Sequence, residues 1–571
     1  MSTGFFLRLG GIFNWQRKSS GGKCGTSACR FAVRARLLAG FLALLAPGLA
    51  SAAISVTAAK SVTTGATAAT SLTITPIAAA IRADLLVAQL TLDDATATVT
   101  KPAGWTEITT IAQSGTGIQQ RVYWMIRSNT EPASYVWSFS KSARGALILA
   151  DIRGVDTNQA INASDGRLGT GTSIVAPEVA SAYTNGMLVS FFGTTGTGSS
   201  IAPQAGMTVP ANGTASAVSG SAGVQLALAY EQIASDGLTG VRTATGASGN
   251  YVGQTIAITP APAAICFTDN FNRATLGSDW ATSKSKGTFT PLVRSTTVSS
   301  VTYQRLQLTE NATNQATLAT LQRYFPAAGN NVVVSFRQYA YPNGGGTGGG
   351  DGISAIFSDA TVAPAAGADG GSMGYAQKTG VAGFAGGWLG VGFDEYGNFS
   401  NPTEGRYKGT GAIANAVAVR GPSNSFYTVS PGSLATNGYP YVAGTAALSP
   451  EIDSSIAINK GGGPGYLYRI TIDSRVPGEQ WVQVERSTDG GTTYSTLVSY
   501  FNLMSNLSTA LGASVTLPSI PANFWLSFAS GTGSATNLHE IDDLQVCATK
   551  MVASTAAIDH FRFENPGTID N

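Results

Sequence analysis

The chain has few charged residues, few histidines and few cysteines. Only 12% of its 571 residues are Asp, Glu, Lys or Arg, and it contains two histidines and four cysteines. The histidines, His539 and His560, lie far from the glycine-rich centre of the chain, so no local imidazole is available there to bind a transition metal. This composition argues against a histidine-based metal centre.

The sequence also lacks long amphipathic patterns with helix caps. It has 69 glycines and long runs of Thr, Ser, Ala and Val, a composition typical of extracellular β-sandwiches. We therefore predict an all-β chain. After residue 52, no apolar run approaches the roughly 20 residues of a membrane span, so we expect no transmembrane segment in the mature protein.

Acidic residues are missing from the first 52 positions, which contain seven basic residues. This segment ends in LLAGFLALLAPGLASA (37–52), an apolar run followed by a small-residue cleavage site at Ala50–Ala52. The pattern predicts a signal peptide over residues 1–52, and hence a periplasmic, cell-surface or secreted protein. Without the seven basic residues of this segment, the chain keeps 27 of its 34 basic residues and all 32 acidic ones. The mature protein would therefore have a net negative charge, which disfavours a nucleic-acid partner.

Residues 53–262 form the first predicted domain and contain an internal repeat. Residues 83–108 align with residues 185–210 at a constant offset of 102, which places Leu86 with Leu188. Each half has the pattern of a strand, a proline–glycine turn and returning strands. Whether the halves close one sandwich or build two small ones is left open. Three tryptophans here are candidates for sugar stacking, with the apolar core as the default interpretation: Trp105, Trp124 and Trp137.

A short Pro/Ala-rich linker over residues 259–267 precedes the second predicted domain, residues 263–550. Its centre runs from Gly348 to Glu404, with glycine turns around a solitary aspartate. Asp394, Tyr396 and Asn398 follow at alternate positions, which point the same way in an extended backbone. Their oxygens suit a calcium ion, although the same pattern also fits a polar turn.

The order of these pieces resembles the L-type (legume-like) lectins, with their A-D-G-I-A, G-G-x-L-G and E-F-D-x-[YF]-x-N segments. The resemblance implies a concanavalin A-like jelly-roll sandwich that binds a glycan. By position, four residues would hold the sugar: Asp351, Gly371, Tyr396 and Asn398.

The same resemblance implies a metal site made by four residues: Asp394, Tyr396, Asn398 and Glu404. The chain departs from the lectin pattern at Gly392, where the lectins have glutamate, and at Thr403, near an expected aspartate. These losses remove manganese ligands. A single calcium is therefore the cofactor that we expect.

Residues 265–550 resemble, more closely, the lectin-like region of the mannose-sensitive haemagglutinin (MSHA) pilus biogenesis protein Q family. Four long strings carry the likeness: CFTDNFNR (266–273), TLQRYFPAAGN (320–330), GFAGGWLGVGFDEYGNFSNPTEG (383–405) and NLHEIDDLQVCA (537–548). Membership implies an envelope protein whose partners are type IV pilus components and a glycan, with mannose-type glycans as the first candidates.

Two of the four cysteines fall in the leader, and the remaining two bracket the second domain. In an exported protein, Cys266 and Cys547 are expected to form a disulfide. In L-type lectins the first and last strands lie side by side, so this bond would connect neighbouring strands. After Cys547, residues 551–571 have the pattern of the opening of a further, truncated domain.

Two enzyme hypotheses are disfavoured by the sequence. Gly370, Ser372 and Gly374 match G-x-S-x-G, but neither the strand-to-helix turn nor a histidine base accompanies them. Asp394 and Glu395 are adjacent, so on a strand they face opposite sides and cannot flank one glycosidic bond. We therefore predict a non-enzymatic envelope protein of an MSHA-like pilus system that binds glycan. A structural pilus-assembly component and a concanavalin-like glycoside hydrolase are the alternatives.

Overall fold

The structure is a computed structural model. It describes residues 53–109, 117–341, 349–427, 438–453, 463–512 and 516–553, and the backbone of strand 113–115. The predicted signal peptide, residues 1–52, lies outside the described residues, as does the predicted C-terminal stub beyond Ala553. No helix within these ranges has both the length and the apolar character that a membrane span requires.

The first half of the chain consists of short and medium strands that pair only in antiparallel fashion. Their bounds are β1 Ser55–Thr63, β2 Ala69–Ile74, β3 Leu85–Leu92, β4 Val99–Thr100, β5 Thr106–Glu107, β6 Gln113–Gly115, β7 Ile118–Ile126, β8 Tyr135–Ala143, β9 Gly145–Arg153, β10 Ile161–Ala176, β11 Ala180–Ser181, β12 Met187–Thr194, β13 Ala202–Pro203, β14 Thr214–Ser219, β15 Ala222–Gln232, β16 Gly237–Leu238 and β17 Arg242–Ile258.

Two six-stranded sheets dominate this half. Sheet 1 has the order β1-β9-β3-β7-β5 with β6 on β7, and sheet 2 has the order β10-β17-β12-β15-β14 with β13 on β17. The aligned segments of the repeat supply the matching central strands, β3 in sheet 1 and β12 in sheet 2. Their neighbours match as well, so the two sheets share one pattern of connections.

The two sheets pack face to face and form one sandwich. A single apolar cluster contains Val87 and Ile148 of sheet 1 together with Phe191 and Ile256 of sheet 2. The repeated halves therefore bury their apolar faces against each other. This answers the question that the sequence left open.

The outer face of sheet 1 is covered by the three-stranded sheet β2-β8-β4. Trp105 and Trp137 meet there edge to face, with ring centroids 5.2 Å apart. Both are buried in an apolar cluster with Tyr123 and Tyr135. They belong to the core, and neither is available to stack on a sugar.

The second half has its own strands, and no described sheet combines strands from both halves. Their bounds are β18 Ile265–Asp269, β19 Trp280–Lys286, β20 Leu292–Val298, β21 Val301–Thr309, β22 Gln315–Pro326, β23 Asn331–Tyr341, β24 Gly352–Asp359, β25 Gly387–Asp394, β26 Ala416–Arg420, β27 Tyr441–Gly444, β28 Tyr466–Asp473, β29 Trp481–Ser487, β30 Ser495–Asn502, β31 Asn523–Thr532, β32 Leu538–Ala548 and β33 Val552–Ala553. The helices are α1 Leu503–Leu511 and two 3-10 turns, Gly370–Ser372 and Asn424–Phe426.

Two eight-stranded antiparallel sheets make the second sandwich. Sheet 3 has the order β20-β21-β32-β23-β28-β29-β30 with β18 on β32, and sheet 4 has the order β19-β22-β31-β24-β25-β26-β27 with β33 on β22. Aromatic rings interlock between them: Phe336 of sheet 3 lies 4.9 Å from Phe528 of sheet 4, centroid to centroid. The prediction of an all-β chain built from sandwiches is confirmed.

The expected disulfide is present between Cys266 and Cys547. The two residues pair directly across β18 and β32, so the bond joins the start of the second sandwich to its last long strand. Strand β33 then adds to sheet 4 by pairing with β22. The described beginning of the predicted stub is therefore part of this sandwich.

The two sandwiches contact each other through Arg82. Its guanidinium forms an ion pair with Asp473 at 2.6 Å and lies over the rings of Trp481 and Tyr500. Ser128 adds a hydrogen bond to Glu479 at 2.6 Å. These contacts lie at the Asp473 end of β28.

Candidate functional site

The pairing of β24 with β25 brings the solitary aspartate beside the D-x-Y-x-N segment. Gly352 pairs with Asp394, and the Glu395 N–H donates to the carbonyl of Asp351 at 2.9 Å. On the other side, the Asp351 N–H donates to the carbonyl of Gly531 at 3.0 Å. Asp351 is thus fixed by the backbone between two strands of sheet 4.

The glycine turn at 370–372 completes the arrangement. A Cβ atom on Gly371 would overlap the Cβ of Asn398, so only glycine allows the turn to lie this close. A Cβ atom on Gly350 would lie 3.5 Å from the Cβ of Tyr396. The structure therefore brings the four residues predicted to hold sugar together at the strand ends of β24 and β25: Asp351, Gly371, Tyr396 and Asn398.

These residues differ in their access to solvent. The Tyr396 side chain is 50% exposed, which is unusual for an aromatic residue in this chain, and Asn398 is half-buried. Asn398 accepts a backbone hydrogen bond from Asn401 at 3.1 Å, which closes the turn after it. An exposed ring beside an amide and a carboxylate offers both an apolar face and polar groups to a ligand.

Asp351 is a buried carboxylate with a perturbed pKa beside this surface. It is only 3% exposed, and its Oδ2 atom has no hydrogen-bond partner among the described residues. Burial raises its pKa to about 6, an effect that the charge of His539 opposes and the charge of Glu395 reinforces. A buried carboxylate oxygen without a donor carries a desolvation cost, which a ligand hydroxyl would relieve.

A buried polar layer lies beneath Asp351. The Glu395 carboxylate contacts His539 Nε2 at 2.9 Å and accepts from the Asn537 amide at 2.8 Å. The other ring nitrogen of His539 lies 2.6 Å from the Thr309 hydroxyl. This network fixes Glu395, whose backbone is bonded to Asp351 and precedes Tyr396. The expectation that no imidazole lies near the glycine-rich centre is therefore wrong, because sheet pairing brings β32 to this end of the sandwich.

The two carboxylates predicted to bind calcium, Asp394 and Glu404, have other partners. Both oxygens of Asp394 accept backbone hydrogen bonds, from Gly397 at 2.7 Å and from Phe399 at 2.6 Å. Complete burial raises the pKa of Asp394 to about 7 despite these bonds. Glu404 is half-exposed and forms an ion pair with Arg406 at 3.0 Å. Among the described residues, no group of three or more His, Cys, Asp or Glu side chains is arranged to hold a metal.

Ser372, the middle residue of the G-x-S-x-G string, lies in a 3-10 turn and not in a strand-to-helix elbow. It is buried, donates to the carbonyl of Gln377 at 3.1 Å and accepts from Arg406 at 3.2 Å. Asp394 and Glu395 also have entirely different partners, in agreement with their expected opposite orientations. Neither arrangement resembles a catalytic pair.

A cleft of about 790 Å³ opens beside the site. Residues 377–386 form one wall, and Asn424 and Tyr439 lie opposite. Lys378 lies between the cleft and Asp351: it pairs with Asp369 at 3.4 Å and lowers the pKa of Asp351 through its charge. None of the four predicted sugar residues lines this cleft, so the cleft and the Asp351 site are separate features joined through Lys378.

Sequence reasoning missed three cationic side chains at this end of the sandwich: Lys378, Arg406 and Arg420. Arg420 gave the clearest signal, because it is the only charged residue in the apolar strand AVAVR. A charge at that position either faces solvent or serves buried acceptors, and the sequence alone does not distinguish the two.

No protein-family model matches the chain, and no curated protein matches it. Among solved structures, the exoplasmic/lumenal domain of VIP36 in a Ca²⁺/mannose-bound form is similar with 13% identity over 51% of this chain and 95% of that one, at a TM-score of 0.30. Lectin I-B4 from Griffonia simplicifolia, in a metal-free form, shows 12% identity over 50% and 99%, at a TM-score of 0.32. A lectin from Bauhinia forficata in complex with GalNAc shows 13% identity over 50% and 98%, at a TM-score of 0.32. Scores this low carry no argument about function.

Proposed function

We propose that the second sandwich is a non-catalytic carbohydrate-binding module whose site consists of Asp351, Gly371, Tyr396 and Asn398. One observation carries the proposal: the Asp351 Oδ2 atom is buried without a described hydrogen-bond partner, next to a half-exposed tyrosine. A sugar presents hydroxyl donors beside an apolar C–H face, which matches this combination.

Each residue then has a distinct role. The Asp351 carboxylate accepts hydrogen bonds from sugar hydroxyls, and such bonds to a charged acceptor are stronger than neutral ones. The Gly371 N–H donates to a hydroxyl oxygen, and the Asn398 amide donates or accepts beside it. The Tyr396 ring packs against the apolar face of the sugar.

We further propose that the protein is exported and acts in the cell envelope as part of an MSHA-like type IV pilus system. The basic, then apolar N-terminal segment and the strings shared with that family support this setting. The disulfide is in keeping with an oxidising compartment. A shallow site of this kind binds weakly alone, and repetition along a filament or surface would raise its avidity.

The test is a glycan-array screen of the purified protein, followed by titration of the best glycan against three variants. Asp351→Ala should weaken binding about 10–100-fold, because it removes a charge-assisted acceptor. Tyr396→Ala should weaken binding as well, whereas Tyr396→Phe should retain most of it because the ring remains. Asp543→Ala, on the opposite sheet, is the matched control and should bind normally.

Absence of binding to any glycan, by protein shown to be folded, would overturn the proposal. The structural pilus component would then be the better hypothesis. Binding that ignores both Asp351→Ala and Tyr396→Ala would place a sugar site elsewhere on the molecule. Turnover of a chromogenic glycoside would instead support the glycoside hydrolase.

A further inference from the structure

Arg420 lies at the end of β26 with its guanidinium completely buried. Among the described residues, every hydrogen bond that it donates goes to a backbone carbonyl, and none goes to a carboxylate. The acceptors are the carbonyls of Phe399 at 2.7 Å, Tyr407 at 2.8 Å, Tyr439 at 2.8 Å, Lys408 at 3.2 Å and Asn401 at 3.4 Å.

Arg406 also contacts the loop of residues 397–411, which supplies four of these five carbonyls. Its side chain is fully buried, and its Nε donates to the Asn401 carbonyl at 3.2 Å. Its terminal nitrogens reach the Ser372 hydroxyl at 3.2 Å and the Thr403 hydroxyl at 3.4 Å. Arg406 therefore connects the loop after Asn398 to the glycine turn that contains Gly371.

Several carbonyl oxygens that converge on one point normally require a cation. Calcium takes six to eight oxygens at about 2.3–2.6 Å. Here the guanidinium of Arg420 supplies five N–H donors in a fixed plane and occupies that point itself. The positive charges of Arg420 and Arg406 together disfavour a metal cation in the same loop.

The carboxylates fit a metal no better. Both Asp394 oxygens already accept backbone N–H groups of the loop, which takes up part of their capacity to ligate a metal. Glu404 pairs with Arg406, and Thr403 offers only a neutral hydroxyl where a second aspartate was expected. The residues present therefore do not fit the calcium site that the sequence resemblance implied.

We infer that Arg420 and Arg406 are the positioning residues that hold the loop of residues 397–411 in place of a divalent cation, and that the site needs no metal. The loop contains Asn398, and its first carbonyl bound by Arg420 belongs to the next residue, Phe399. Side chains of the protein itself, and not a metal, thus keep the loop ordered. The consequence for sugar binding rests on the function proposed above, whereas the consequence for loop order does not.

The experiment is hydrogen exchange by mass spectrometry on the full chain, with calcium and again with a chelator. Loop amides in wild-type protein should exchange at the same rate in both conditions, and calorimetric titration with calcium alone should give no binding heat. In Arg420→Met, the loop amides should exchange about tenfold faster or more, while β23 in the other sheet keeps its protection. Arg305→Lys, a change at an equally buried arginine of sheet 3, should leave loop exchange unchanged.

The outcomes separate the two proposals. Stoichiometric calcium binding by wild-type protein, or loop protection that appears only with calcium, would overturn the arginine inference and leave the sugar proposal standing. Should Arg420→Met fail to fold, the wild-type comparison alone still decides. If no glycan binds and the loop amides exchange at the same rate with and without chelator, the arginine inference is supported and the proposed function is contradicted. If a glycan does bind, its affinity should survive chelation within about twofold.

Discussion

The two sandwiches of this protein bury their polar groups in different ways. In the first, neutral amides lie between the sheets: Gln89 donates to Gln120 at 2.9 Å, and Gln120 donates to Gln254 at 2.8 Å. The first also buries two carboxylates, Asp84 and Asp151. In the second, the buried Asp351 and Asp394 lie at strand ends of sheet 4, close to the half-exposed Tyr396. Neutral amides that satisfy one another cost little, whereas buried charges cost stability unless they are paired.

Aromatic residues show the same contrast. The first sandwich hides Trp105 and Trp137 in its core, and the second leaves Tyr396 half-exposed beside an unsatisfied carboxylate. Both halves are built from the same kind of antiparallel sheet, so architecture does not explain the difference. We interpret the first as a mainly structural unit and the second as the unit that accepts a ligand.

The largest effect that separates the two units should come from the tryptophan cluster. Trp137→Ala removes a fully buried ring and should lower the free energy of unfolding of the first sandwich by about 3–5 kcal/mol. The second sandwich, which has its own core, should keep its stability. Hydrogen exchange resolved by region, combined with denaturant unfolding, measures both. Trp124→Ala, at a half-buried position of the same sandwich, is the control and should cost clearly less. Equal losses in both sandwiches would mean that they unfold as one unit.

The disulfide should stabilise the second sandwich and leave the first unaffected. It closes a separation of 281 residues, and replacing both Cys266 and Cys547 by Ala should cost about 2–5 kcal/mol because the unfolded chain gains freedom. Denaturant unfolding with and without a thiol reductant gives the measurement. The double variant should no longer respond to the reductant. A comparable loss in the first sandwich would contradict its independence.

The smallest effect concerns Asp351 and pH. Burial raises its pKa from 3.8 to about 6, so between those values the folded state holds the proton more strongly than the unfolded state. This contribution therefore makes wild-type stability fall as the pH rises from about 4 to about 6. Asp351→Asn lacks this dependence and should be more stable than wild type by up to about 2 kcal/mol at pH 7, with the difference vanishing near pH 4.

Two controls accompany that measurement. Asp236→Asn, at an exposed position of the first sandwich, should follow the wild-type pH profile. The Asp351→Asn protein should also bind glycan more weakly, since stability is gained at the residue proposed to hold the ligand. If Asp351→Asn is less stable than wild type at pH 7, the Asp351 carboxylate stabilises the folded protein, and the prediction is wrong.

Local patterns in the sequence predicted much of this structure. Glycine-rich, β-branched composition indicated sandwiches, and a gapless repeat placed β3 and β12 in matching positions of two sheets. Compartment and spacing predicted the Cys266–Cys547 bond. The four sugar candidates were proposed from short motifs, and the register of β24 with β25 brings them to one edge. These features depend on residue type and on neighbours along the chain.

The rest depended on contacts between distant segments. The sequence left open whether the segment after Asp394 forms a calcium site or a polar turn, and only the folded loop decided that both Asp394 oxygens accept N–H groups of a turn. Likewise, Arg420 is visible as a lone charge in an apolar strand. Its five carbonyl partners come from residues 12 to 21 positions away, and tertiary packing alone brought them together around one guanidinium. Burial then decides the chemistry, because a charge removed from water must find every partner within the protein.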